Sequence, residues 1–175
     1  EEGNTETETM IDQSTMSAEA LEESYTYRSA FLPEKDLFAQ PYAGDTMPYY
    51  EDGVFYIYYL KDGGDSLNHS IYLVTTKDFV DYEEVPEPIL QASEDVNAQD
   101  NWTGTGSVVK IDDTYYLFYT GHGSSESLEY KEKILLAKGS DLYHFEKVEG
   151  WEIIPDEAIG QKNDFRDPQA YYNEE

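Results

Sequence analysis

The chain alternates between runs of aromatic and β-branched residues and short turns rich in Gly, Asp and Asn. The clearest run, Val54–Leu60, reads Val-Phe-Tyr-Ile-Tyr-Tyr-Leu and follows the turn residues 51–53. Such runs are typical of β-strands, and turn residues between them favour hairpins. Further strands are expected at Ile71–Thr76, Ser107–Ile111, Thr114–Thr120 and Ile134–Ala137. Because no segment keeps a helical period beyond two turns, the pattern predicts an all-β fold after Gly44.

The strand pattern occurs twice. Residues 50–60 align with residues 110–120 at an offset of 60, and residues 76–83 align with residues 139–146 at an offset of 63. Each unit comprises a strand, a tight turn, an aromatic strand, a loop, a third strand, an Asp-containing turn and a last strand. Four strands in about 60 residues are typical of a propeller blade, which buries its faces only against neighbouring blades. The repeat therefore predicts a propeller rather than two unrelated hairpins.

A third unit begins near the end of the sequence, where Asp167–Glu174 aligns with Asp45–Asp52 at an offset of 122. We place the first blade at about 44–104, the second at about 105–164 and the start of the third at 165–175. A ring of five such blades needs about 300 residues. We therefore expect about two blades and the start of a third, with the remainder of the propeller, on further sequence or on another chain, as a partner.

The first 43 residues differ from the rest in composition. Residues 1–24 hold eight acidic residues and no basic one, which predicts a solvated, disordered arm. Residues 25–43 form a mixed lead-in segment that Pro33 and Pro41 interrupt.

Charge and composition exclude several classes of function. The 38 acidic residues outnumber the 11 basic ones and give a net charge of −27, so a nucleic-acid backbone or an anionic membrane is repelled. No run of 18 apolar residues is present, so membrane insertion is not expected. The absence of Cys excludes disulfides, thiolate metal sites and a cysteine nucleophile. Since His69, His122 and His144 lack any ligand spacing, neither a metal nor another cofactor is expected.

Superposing the repeat units places Asp45, Thr105 and Asp167 at one position, the start of the innermost strand. In a propeller these strand starts meet at one mouth of the central channel, so the two carboxylates are expected to converge. A single Asp before a strand is also a common turn or cap residue. Two carboxylates facing one sugar, however, are what glycosidic cleavage requires. The neighbouring Arg166 is expected either to hold Asp167 ionised or to bind substrate hydroxyls.

Two further residues are expected at the same channel mouth. Trp102 and Thr103 precede the second blade's inner strand and are predicted to bind substrate. An indole ring stacks well on the apolar face of a sugar. The alternative for Trp102 is an aromatic side chain buried between blades.

Several blocks of the sequence resemble those of a known family. Residues 163–169 (Asn-Asp-Phe-Arg-Asp-Pro-Gln) resemble the Arg-Asp-Pro block of glycoside hydrolase family 32, the invertase, inulinase and levanase group. Residues 101–107 are similar to its aromatic-Ser-Gly-Ser block, and residues 69–83 to its His-x-x-Ser-x-Asp-Leu-x-x-Trp stretch. Residues 43–53 stand where the family has its nucleophile block. The resemblance covers about residues 43–175.

The resemblance implies a five-bladed propeller that cleaves β-fructosides of the sucrose, inulin or levan type with retention of configuration. It makes Asp45 the nucleophile and Asp167 the transition-state stabiliser. The family's general acid is a Glu that opens the fourth blade, a position beyond Glu175.

One block departs from the family pattern, which leaves two alternatives open. The family's first block reads Asn-Asp-Pro-Asn-Gly, whereas residues 44–48 read Gly-Asp-Thr-Met-Pro. One alternative is an inverting arabinan or xylan hydrolase like those of the related family 43, although the intact Arg-Asp-Pro block favours family 32. The other is a propeller that binds carbohydrate without cleaving it. The acidic arm, the lack of Cys and a start without Met lead us to expect a bacterial protein outside the cell or at its surface.

Overall fold

The computed structural model describes residues 43–62, 68–158, 160 and 162–173. The predicted acidic arm and nearly all of the lead-in segment lie outside these described residues. The described part contains eight strands: β1 (Ala43–Glu51), β2 (Val54–Asp62), β3 (His69–Thr76), β4 (Tyr82–Glu84), β5 (Trp102–Ile111), β6 (Thr114–His122), β7 (Glu132–Gly139) and β8 (Glu146–Ile153). Among the described residues, no helix is long and apolar enough to cross a membrane.

The strands form two antiparallel four-stranded sheets, ordered β1-β2-β3-β4 and β5-β6-β7-β8. Within each sheet, every strand pairs with the next one along the chain. The predicted all-β class and the predicted four strands per unit are confirmed. The second sheet begins at Trp102, three residues before the expected blade boundary at 105, so that boundary falls inside β5.

The register of the strands confirms the repeat pair by pair. Met47 lies opposite Tyr58 in the first sheet, and Ser107 lies opposite Phe118 in the second, which preserves the offset of 60. The next strand pair keeps its register as well, with Phe55 opposite Thr76 and Tyr115 opposite Gly139. The first strand of each sheet, which the repeat predicts to be the innermost, carries a bulge at the same place. The bulge lies between Gly44 and Met47 in β1 and between Thr103 and Gly106 in β5. A bulge turns the strand locally and changes the direction of the side chains beside it.

The two sheets share one hydrophobic core. Tyr58 of β2 is fully buried, and its hydroxyl donates a 2.8 Å hydrogen bond to the carbonyl of Leu142. The Tyr58 ring also packs edge-on against Phe145, at 6.1 Å between centroids. Leu142 and Phe145 belong to the Asp-containing turn of the second sheet, so this turn covers the first sheet. Burial raises the pKa of the Tyr58 phenol far above its ordinary value, which keeps it a hydrogen-bond donor.

A polar contact joins β1 and β5 near their C-terminal ends. The carboxylate of Glu51 accepts hydrogen bonds from Lys110 Nζ, at 2.7 Å, and from the hydroxyl of Tyr115. These two bonds lower the pKa of Glu51, although partial burial opposes them. The charge-assisted contact therefore adds to the apolar packing between β1 and β5.

The expected start of a third blade runs beside β5 without forming a strand. The Ser107 hydroxyl donates to the carbonyl of Pro168, at 2.9 Å, and accepts from the amide of Ala170, at 2.8 Å. A strand requires a ladder of backbone hydrogen bonds with a neighbour, whereas these contacts to the segment come from one side chain. Residues 164–173 are accordingly irregular in the described structure.

Candidate active site

A cavity of about 190 Å³ opens where the bulged strands β1 and β5 begin. It is lined by all five residues that the sequence singles out for catalysis or substrate binding: Asp45, Trp102, Thr103, Arg166 and Asp167. They come from the first sheet, the second sheet and the segment that follows it. The structure therefore brings together residues that lie up to 122 positions apart in the chain.

Asp45 and Asp167 share an unusual backbone conformation. Their φ angles are 54° and 60°, in the left-handed region that few residues other than Gly adopt. Asp tolerates this region better than bulkier or branched residues because its short carboxylate bonds locally. Both residues are exposed at the cavity. Thr105, the equivalent residue of β5, does not share this φ, so the conformation belongs to the two aspartates and not to the repeat position as such.

Two threonines of the second sheet hold Asp167. Its carboxylate accepts a hydrogen bond from the hydroxyl of Thr105, the residue at the equivalent position in β5. Its backbone amide donates to Thr120 Oγ1 at 3.0 Å, and that hydroxyl donates in turn to the Thr105 carbonyl at 3.0 Å. The Asp167 carboxylate is thus placed at the cavity from both its backbone and its side chain.

Arg166 lines the cavity, and its guanidinium bonds carboxylates other than that of Asp167. Its Nη1 donates to Glu132 at 2.9 Å, and its Nη2 donates to Asp164 at 2.6 Å. One of the two roles expected for Arg166 was a direct ion pair with Asp167. The described contacts of the Arg166 side chain do not include that ion pair. About half of the Arg166 side chain is exposed, which leaves it accessible to a ligand.

Glu132 is a site residue that the sequence reasoning missed. It is the first residue of β7, and its side chain is only 1% exposed. Its carboxylate accepts from Phe165 N at 2.7 Å, from Arg166 at 2.9 Å and from His122 Nδ1 at 3.1 Å. The sequence feature that could have pointed to Glu132 is its alignment with His69, the first residue of β3, at the offset of 63.

Trp102 lies between two histidines at the cavity wall. Its ring stacks on His122 at 5.7 Å, with an interplanar angle of 22°, and meets His69 edge-on at 5.9 Å. The third histidine, His144, lies in the Asp-containing turn beside Asp141. Within the described ranges, no group of three His, Cys, Asp or Glu residues is arranged to hold a metal ion.

Thr103 contributes to the cavity wall mainly through its position. Its side chain is 1% exposed, and its hydroxyl donates to the His69 carbonyl at 2.8 Å. The hydroxyl hydrogen is therefore already used to join β5 to β3. The more accessible groups of the cavity are two carboxylates, a guanidinium and an aromatic wall, a combination that suits a neutral polyhydroxylated ligand.

Comparison with known proteins agrees with this chemistry. The model of the glycosyl hydrolases family 32 N-terminal domain matches residues 31–175. No curated protein sequence matches the chain at a significant level.

Three solved structures can be compared with the chain, and the two with TM-scores above 0.5 illustrate the similarity in fold. A family 117 glycoside hydrolase from the marine bacterium Zobellia galactanivorans superposes with a TM-score of 0.57 at 15% identity, over 74% of this chain and 44% of that one. A structure described as a glycoside hydrolase gives a TM-score of 0.51 at 12% identity, over 76% and 45%. A Bombyx mori family 32 β-fructofuranosidase gives a TM-score of 0.46 at 18% identity, over 58% and 21%. The chain thus spans less than half the length of each.

Proposed function

We propose that this chain, which belongs to glycosyl hydrolase family 32, supplies two catalytic carboxylates of a glycosidase. The observation that carries the proposal is that Asp45 and Asp167 both line one cavity. The two residues belong to different repeat units and share a left-handed backbone. It is the shared cavity that supports the catalytic roles, because Asp52 and Asp112 adopt the same backbone conformation in the β1–β2 and β5–β6 turns.

The proposed substrate class is the β-fructosides, and the proposed course is retaining. The Asp45 carboxylate attacks the anomeric carbon while the bond to the leaving oxygen breaks and a general acid protonates that oxygen. The resulting glycosyl ester is then hydrolysed by water, which regenerates the Asp45 carboxylate. Asp167 stabilises the positive charge that develops on the ring during both steps. The family resemblance of residues 43–53 and 163–169 supports these two roles.

The other proposed roles concern binding. Trp102 provides a flat apolar surface against which a sugar ring packs. The exposed half of Arg166 binds sugar hydroxyls. We further propose that the two sheets are blades of a five-bladed ring, whose remaining blades complete the cavity.

None of the carboxylates that line the cavity in the described structure is assigned as the general acid. Glu132 is only 1% exposed and its oxygens already accept three hydrogen bonds from protein donors, so it is not presented to a leaving group. The family resemblance puts the general acid on a later blade. A binding protein without catalysis remains the second candidate, because the first block reads Gly-Asp-Thr-Met-Pro without the family's asparagines.

The Asp45→Asn variant of the complete encoded protein tests the mechanism. We expect a loss of turnover of at least about a thousandfold, because the nucleophile of the covalent step is removed, together with an unchanged thermal midpoint. Asp52→Asn is the matched control, since Asp52 has the same left-handed backbone, at φ 50°, but lies in the β1–β2 turn. Substantial turnover by Asp45→Asn would refute the role of Asp45.

The assay also separates the alternatives. Release of fructose from sucrose, inulin or levan supports the fructosidase, whereas release of pentoses from arabinan or xylan supports a family 43-like activity. In methanol–water mixtures, a retaining enzyme transfers the sugar to methanol with its configuration preserved. Calorimetric binding of fructans without any hydrolysis would instead establish the binding protein.

A further inference from the structure

We infer that Glu132 is a positioning residue that fixes the segment carrying Arg166 and Asp167 to the second sheet and orients His122 at the cavity. The inference rests on the proposed function, because it assigns Glu132 a part in that same site. Glu132 is the most buried acidic side chain among the residues that line the cavity, at 1% exposure. Its position at the start of β7 places it behind the more exposed Arg166 and His122.

A buried carboxylate needs strong compensation. Removing a charged carboxylate from water costs several kcal/mol unless hydrogen bonds and opposite charge replace the lost hydration. Three donors provide this compensation: Oε1 accepts from Arg166 and His122, and Oε2 accepts from the amide of Phe165. All three donors belong to the segment that follows β8 or to the cavity wall, so Glu132 organises the site rather than the apolar core.

The anchoring acts on both sides of Arg166. Glu132 holds the amide of Phe165, and Thr120 holds the amide of Asp167, at 2.7 and 3.0 Å respectively. Residues 165–167 are thereby bonded to neighbouring strands β7 and β6. Together with the Thr105 hydroxyl, which bonds the Asp167 carboxylate, these two anchors set the direction of that carboxylate.

The same carboxylate controls the histidine ring. His122 Nδ1 lies 3.1 Å from Glu132, and the ring stacks on Trp102. When Nδ1 donates its hydrogen to Glu132, Nε2 on the opposite edge of the ring is left as an acceptor. Glu132 therefore fixes both the tautomer and the tilt of a ring that lines the cavity.

Glu132→Gln in the complete encoded protein tests the inference. An amide has one acceptor oxygen, so its NH₂ group must face one of the three donors that Glu132 now satisfies. We expect kcat/KM to fall roughly tenfold to a hundredfold, since a displacement of about 1 Å at a reacting group has effects of this size. Glu152→Gln is the matched control, because Glu152 lies on the adjacent strand β8 and pairs with Lys133 at the surface. We expect the control to retain wild-type kinetics.

A double-variant cycle shows whether Glu132 acts through Arg166. If it does, Glu132→Gln combined with Arg166→Ala loses little more than the worse single variant, because the two residues act as one unit. Losses that multiply independently would overturn the coupling. A Glu132→Gln enzyme with wild-type kcat/KM would overturn the positioning role.

Amide hydrogen exchange without substrate provides a readout that does not depend on activity. We expect the amides of Phe165 and Asp167 to exchange about tenfold faster or more in Glu132→Gln than in the wild type or in Glu152→Gln. Equal exchange would refute the anchoring even if the protein is an active glycosidase. Conversely, faster exchange in a protein that cleaves no glycoside would uphold the anchoring while the proposed function fails. Should Glu132→Gln not fold, Glu132→Asp keeps the charge but loses reach, and the same exchange experiment applies.

Discussion

The two sheets have the same backbone plan but different residues at the cavity end. Asp45 in the first sheet corresponds to Thr105 in the second, and His69 corresponds to Glu132. In each sheet the inner strand is bulged at the same place. The strand framework therefore repeats, while the side chains that it presents to the cavity do not.

At the opposite end of the sheets, the side chains repeat as well as the backbone. Asp78 Oδ1 accepts from the amides two and three residues further on, those of Val80 and Asp81. Asp141 Oδ1 accepts from the amides at the corresponding places in the second sheet. The turn ends thus keep one hydrogen-bonding arrangement, which is the usual capping of a turn by Asp. The difference teaches that the turn residues specify the unit, whereas the cavity residues specify its chemistry.

Packing between the sheets makes equivalent residues unequal in burial. Leu142 in the second turn is 4% exposed because it packs on the first sheet, while the equivalent Phe79 is 41% exposed. Sequence alignment alone assigns these two positions the same environment. The neighbouring sheet decides which of them is part of the core.

The largest effect is expected at the bulge of β5. A Cβ on Gly106 would lie 1.8 Å from the carbonyl oxygen of Phe118, which is backbone and cannot move aside. Gly106→Thr gives this site the residue that the first sheet carries at its equivalent, Thr46. We expect a loss of about 3 kcal/mol or more in the free energy of unfolding, from overpacking, measured by urea denaturation.

The control for this change is Thr46→Ala. Thr46 is exposed, so we expect a change within about 0.5 kcal/mol. If Gly106→Thr costs less than about 1 kcal/mol, the two bulges are more alike than the structure indicates.

A moderate effect is expected where the second sheet's turn meets the first sheet. Tyr58→Phe removes the hydroxyl that bonds the Leu142 carbonyl, and Phe is the residue that the second sheet carries at the equivalent Phe118. We expect a loss of about 1–2 kcal/mol in the free energy of unfolding, because a buried carbonyl is left without its partner. Tyr50→Phe, at a 58% exposed position, serves as the control and should be neutral. Equal values for the two variants would show that the hydroxyl does not stabilise the contact.

The smallest effect concerns the two equivalent turns and appears as a pH dependence. Hydrogen bonds from the amides of Asp81 and Val80 lower the pKa of Asp78. Burial opposes the shift at Asp141, but hydrogen bonds from Tyr143 and His144 outweigh it, so the pKa of Asp141 is lowered as well. A carboxyl with a depressed folded-state pKa contributes stability above its unfolded pKa, about 3.9, and that stability is lost as pH falls through the folded-state pKa.

The double variant Asp78→Asn/Asp141→Asn keeps the acceptor oxygens but cannot titrate. We expect its thermal midpoint to fall less steeply than that of the wild type as the pH decreases below about 4. Differential scanning calorimetry over this range measures the slopes. Parallel slopes would mean that these two aspartates do not contribute to the acid sensitivity.

Much of the fold could be predicted because its signals are local. The aromatic run at 54–60, the turns and the two constant offsets already define four strands per unit, and the observed registers agree with both offsets. The expected strand after Asp167 is absent from the described structure, because a strand depends on a neighbouring partner rather than on its own residues. The number of blades in a complete ring stays a prediction for the same reason.

The candidate site likewise combines features that the sequence predicts with features that depend on tertiary contacts. The amino-acid order by itself determined the repeat, and through the repeat it indicated that Asp45 and Asp167 occupy equivalent places; both line one cavity. Only the tertiary structure identified Glu132 as the buried partner of His122 and Arg166, and paired the Arg166 guanidinium with Glu132 and Asp164 instead of Asp167. Periodicity and turn chemistry depend on residues near each other in the chain, whereas the burial of a charge and the choice of its donors depend on which strands pack against it.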